Sequence, residues 1–128
     1  AVQMGTRFIG TYECDASEVF KQVLLDAKEE NIVIVSSPVG YPGRAVKTNL
    51  IQTLEPNTKK IQCISNCIFP CNRGEGARRV GYCIADSLGD AYLGRLQSGL
   101  FFSGANGYKL KEIVHVKELI DELMTNVK

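Results

Sequence analysis

Four of the five cysteines, Cys63, Cys67, Cys71 and Cys83, fall in one short stretch of the chain. Thiolates so close in sequence can converge on a single soft metal centre, which would pin the surrounding loop. Zinc sites favour ligand pairs about two to four residues apart, and iron–sulfur clusters use closely spaced thiolates followed by a more distant one. Both patterns fit this layout. Pro70 stands before Cys71 and biases Phe69 away from helix. The segment therefore reads as a looped knuckle that returns to Cys83 through Asn72, Arg73, Gly74, Glu75 and Gly76. The competing readings are ordinary buried thiols and a disulfide pair.

The 128 residues suffice for one domain with its own core, and 45% hydrophobic content argues against disorder. A formal charge of +1 gives no electrostatic case for a nucleic-acid or membrane partner. No apolar run approaches the roughly 20 residues that span a bilayer. An odd number of cysteines suits a reducing compartment, so a cytoplasmic location is expected. Ala1 to Phe8 reads as a strand running into a turn, and a chain that opens inside a strand is expected to be cut from something larger.

Ala16, Val19, Phe20, Val23, Leu24 and Ala27 recur at helical spacing with Asp15 or Ser17 as cap, and Glu29, Glu30 and Asn31 close the helix. Ile32 to Val35 is a short β-branched run, expected as a strand or a packed extended segment. Pro38 to Gly43 is turn-rich. Arg44 to Leu54 is expected as a modest helix with Val46, Leu50 and Ile51 inward. Ile84, Ala85, Leu88, Ala91 and Tyr92 predict another helix, broken at Gly94. Val116, Leu119, Ile120, Leu123, Met124 and Val127 form the stripe of a last helix.

Outside the cysteines, chemistry is sparse. Met4, Gly5 and Thr6 form a strand end, a glycine and a hydroxyl, a combination that lets backbone amides approach a phosphate. Ser103, Gly104, Ala105, Asn106 and Gly107 make a second small-residue loop, against a ligand or simply at a helix entry. Arg44 is either a substrate-anion ligand or a solvated surface residue. Arg73, Arg78 and Arg79 lack the interleaved aromatic residues of a nucleic-acid knuckle. His115, the only histidine, reads as a cap-region residue, and the acidic neighbours of Cys14 disfavour a nucleophilic thiolate. No catalytic residue is assigned.

Several segments, in order, resemble the nitronate monooxygenase (2-nitropropane dioxygenase) family of flavoproteins and its relative enoyl-ACP reductase II. These are Ala1 to Phe8, Glu13 to Ala16, Ser37 to Gly40 with Arg44 to Val46, and Gly99 to Asn106. The first is the most specific. The resemblance implies an α/β fold: the C-terminal fragment of a TIM-type (β/α)8 FMN barrel. Residues 1–12 would be the last strand and FMN-phosphate turn, and residues 13–128 a mainly helical cap carrying the 63–83 cysteine cluster. It places Gln3, Met4, Gly5 and Thr6 on the FMN, with Ser103, Gly104 and Asn106 returning towards it. A phosphate site after the last strands is general in such barrels.

The implied activity is oxidation of nitronates by oxygen, or use of NAD(P)H, on a small-molecule substrate. The implied partner is the N-terminal barrel of the same polypeptide, without which this chain is expected to be inactive. The family's catalytic histidine and Gly-rich phosphate segment have no counterpart in this sequence. The cysteine cluster is not general in the family; its layout is similar to the iron–sulfur segment of the flavin-dependent dienoyl-CoA reductases, whose first gap is one residue shorter. An iron–sulfur cluster or zinc thus stands beside FMN as an expected cofactor, with a stand-alone metal-binding module as the alternative reading.

Overall fold

A computed structural model of the chain describes residues 3–54, 67, 68, 71 and 81–125. Its centre is a hairpin. The β-branched run Ile32–Val35 forms β1 and Gly43–Val46 forms β2, antiparallel, with Ile32 opposite Val46 and Val35 opposite Gly43. The turn between them passes through Gly40 at φ +91°, a left-handed conformation that glycine takes without cost. The Arg44 to Leu54 helix expected from sequence is therefore strand over Arg44, Ala45 and Val46, and only Asn49–Thr53 (α3) is helical. Hydrogen bonding decides this outcome. The Val46 amide donates to the Phe101 carbonyl at 2.9 Å and the Ser103 amide to the Arg44 carbonyl at 3.0 Å. Residues 100–103 thus lie along β2, with Ala45 and Phe102 in an antiparallel bridge.

Helices flank this sheet. Gly5 caps a single helical turn, Thr6–Ile9 (α1), so Arg7 and Phe8 are helical rather than part of the expected strand. Residues 1 and 2, where that strand would begin, lie outside the described residues. Glu18–Leu25 (α2) starts as the sequence indicates, with the Phe20 amide donating to the Ser17 hydroxyl at 3.2 Å. It stops at Leu25, and Glu29–Asn31 is a separate 3-10 turn. Ile84–Tyr92 (α4) ends before Gly94, whose φ of +78° turns the chain away. Val116–Thr125 (α5) has only Leu119 buried; Val116 and Leu123 of its apolar stripe are half-buried, Ile120 and Met124 exposed, and Val127 lies outside the described residues. Among the described residues no helix is long and apolar enough to cross a membrane.

Two apolar clusters hold the layers together. Leu24, Ala27, Val46, Ala91, Phe101 and Leu110 form one, into which Phe20 packs edge-on against Phe101 with ring centroids 5.0 Å apart. Val35, Ala45, Tyr82 and Leu100 form the other. The Tyr82 hydroxyl donates to the Ser36 carbonyl at 2.9 Å, and burial pushes its phenol up to about 12. The fold's consequence for function is positional: Phe101 anchors the segment that leads directly into the 103–107 loop.

Candidate functional site

The two small-residue segments singled out in the sequence meet in space. The Gly104 amide donates to Thr6 Oγ1 at 2.7 Å, joining the start of α1 to the 103–107 loop. Between them opens a cleft of about 620 Å³, whose lining includes Gln3, Met4, Gly5, Thr6, Gly104 and Asn106. That size lies within the roughly 300–1,000 Å³ typical of small-molecule sites. Ser103 does not line it. It is 8% exposed, and its hydroxyl turns to the Gly104 carbonyl at 3.1 Å, against the face of Gly107 that a side chain would occupy. The loop closes on itself through the Gly107 amide, which donates to the Gly104 carbonyl at 3.0 Å.

Gly5 has a different reason to lack a side chain. A Cβ there would meet nothing within 4 Å, so the fold leaves that space open. The far wall, missed by sequence reasoning, carries Arg7, Lys109, Lys111, Glu112, Glu122 and Leu123. Arg7 pairs with Glu122 of α5 at 3.0 Å, and Lys111 donates to the Tyr108 carbonyl at 3.0 Å. Three cations against two carboxylates tilt the cleft towards anions. Nothing in the local sequence announces this wall, because scattered lysines ordinarily mark a solvated face. Arg44 is exposed on β2, and what the loop uses of it is its backbone carbonyl.

His115 lies outside the cleft and behaves as a cap-region residue. Its Nδ1 is 3.2 Å from Glu13 Oε1, while the Val116 amide donates to Glu13 Oε2 at 3.0 Å. Glu13 thus clasps the start of α5. Desolvation works to raise its carboxyl, but hydrogen bonds from the Val116 and Glu13 amides and from His115 prevail and hold it below the usual carboxylate range. A depressed carboxylate contributes stability above its unfolded pKa and loses it as pH falls through the folded value. The α5 start is therefore expected to hold down to the ordinary value of 4.5 and loosen below it. Faster exchange of the Val116 amide in acid would report this, and Glu13→Gln should abolish the acid dependence.

The described members of the cysteine cluster do not assemble in the same way. Among the described residues no group of three or more His, Cys, Asp or Glu is placed to hold a metal ion, so Cys67, Cys71 and Cys83 form no such group. Cys63 lies outside the described residues. Cys83 instead opens α4, its carbonyl accepting from the Ser87 amide at 3.0 Å. Neither zinc nor an iron–sulfur cluster gains support from this arrangement.

Comparison with known proteins identifies the family and the fold. The nitronate monooxygenase family matches residues 1–126. The structure of FabK, an enoyl-ACP reductase II from Thermotoga maritima, is similar at TM-score 0.69 and 26% identity, over 98% of this chain and 36% of that one. A single-substitution variant of the same enzyme is similar at TM-score 0.67 and 24% identity, over 98% of this chain and 32% of that one. The chain thus spans about a third of the length of these structures, and its mixed helix-and-strand fold corresponds to part of a TIM barrel. No curated protein matches.

Proposed function

The chain belongs to the nitronate monooxygenase family, and on that basis we propose that it forms the FMN-phosphate side of a flavin-dependent oxidoreductase. The observation that carries the reading is the junction of Thr6 with Gly104 at the edge of an anion-favouring cleft in which Gly5 leaves space free. The residues fit the group. An open glycine admits a phosphate close to the backbone, Thr6 offers a hydroxyl, and the cationic wall supplies compensating charge. Gln3, Met4 and Asn106 border the same space and would meet the rest of the cofactor.

When bound, FMN supplies the electron transfer between a nitronate and oxygen, or from NAD(P)H to a small-molecule acceptor. The chain's own residues fix where the phosphate sits and so orient the ring relative to the remaining barrel, which is the partner of this chain in the same polypeptide. Among the described residues, neither a histidine nor a cysteine lines the cleft. A fluorescence titration with FMN and with riboflavin, which lacks the phosphate, tests the reading. FMN should bind at least about tenfold more tightly, equivalent to about 1.4 kcal/mol from the phosphate seat. Equal binding of the two would remove the phosphate from this cleft.

A further inference from the structure

Gly104 has no backbone group left for a ligand. Its amide is donated to Thr6 Oγ1 at 2.7 Å, and its carbonyl accepts both the Gly107 amide at 3.0 Å and the Ser103 hydroxyl at 3.1 Å. Thr6 is the complementary case. A hydroxyl has one proton to donate and two lone pairs to accept with. One lone pair of its oxygen accepts the Gly104 amide, while among the described residues no acceptor takes its proton. A hydroxyl that accepts from an amide is polarised and donates more strongly.

The threonine methyl matters too. A Cβ on Gly107 would come within 3.4 Å of Thr6 Cγ2, so the side chain packs along the loop as well as bonding to it. Thr6 and Gly104 are far apart in sequence, and among the described hydrogen bonds theirs alone joins α1 to this loop.

We infer that Thr6 is the positioning residue that latches the 103–107 loop across the cleft, and that Gly104 reaches an anionic ligand only through the Thr6 hydroxyl. The identity of the anion as the FMN phosphate rests on the function proposed above; the latch does not. Gly104 is therefore a relay that orients and polarises a donor, and a loop whose sequence resembles a ligand-binding turn does its work one residue removed from the ligand.

Thr6→Val keeps the shape and removes the hydroxyl, whereas Thr6→Ser keeps the hydroxyl and removes the methyl. The test is hydrogen exchange at the Gly104 amide in the full chain, with FMN titration of the same samples and circular dichroism to verify folding. The wild type and Thr6→Ser should protect Gly104. Thr6→Val should speed its exchange by about tenfold or more and weaken FMN binding by about tenfold or more. Unchanged Gly104 protection in Thr6→Val, with or without loss of FMN binding, would overturn the latch and leave the flavin reading standing. Wild-type binding of FMN by Thr6→Val despite a released Gly104 would overturn the relay. Protection that follows the hydroxyl in a wild-type chain that ignores FMN would uphold the latch and sink the flavin reading.

Discussion

Replacing Phe101 with alanine is expected to destabilise the protein by about 3–5 kcal/mol, the usual cost of emptying a buried phenylalanine site. Phe101 is fully buried, meets Phe20 edge-on, and packs with Leu24, Val46, Ala91 and Leu110 from four different parts of the chain. Its carbonyl also accepts the Val46 amide. No single neighbouring element can move in to fill the void, because each is tied to the others through this ring. Phe102, alternate in the extended segment and only half-buried, should cost clearly less when truncated. Urea denaturation of the two variants checks the order. A folded domain is stable by only about 5–15 kcal/mol in total, so Phe101→Ala should also loosen the neighbouring 103–107 loop. A loss under about 1 kcal/mol would mean that the clusters around Phe101 are not the core.

Gly5→Leu is expected to separate folding from binding. The position has a φ of −117°, which places no left-handed demand on the residue, and a Cβ there meets no atom within 4 Å. Its folding cost should stay within about 1 kcal/mol, the scale of losing a helix-capping residue. The new side chain would stand in the cleft, so FMN affinity should fall by at least about tenfold. Denaturation and flavin titration on one preparation read both effects. Weak binding together with a large stability loss would make Gly5 a structural glycine, contrary to the open space beside it.

Residue pattern alone makes some of this architecture legible. The α2 stripe, with Ser17 at its head, is local information: the helix buries one face and the hydroxyl satisfies an end amide. The same holds for α4 and its stop at Gly94. Arg44 to Val46 misleads because a short apolar run has no period of its own. Its pairing with β1 and with residues 100–103, distant in sequence, makes it a strand. The α5 stripe is real in sequence, yet only Leu119 is buried, because the stripe is wider than the surface it covers here.

The site was legible in parts. Gly5 and Thr6 carry a weak local signal of a phosphate turn, and the small-residue loop carries another, but no periodicity reports that they touch. That the two belong to one site came from family resemblance, and the structure adds the bond that joins them. The Arg7, Lys109 and Lys111 wall and the turned-away Ser103 depend on how three elements pack, which no local pattern encodes.

The most direct test of a phosphate seat between α1 and the 103–107 loop is a residue-resolved map of amide shifts in the isotope-labelled chain as FMN is added. Saturable shifts centred on Gly5, Thr6 and Gly104 to Asn106 are expected, largely lost when riboflavin replaces FMN. Shifts of equal size with riboflavin, or shifts that leave these residues unmoved, would contradict it.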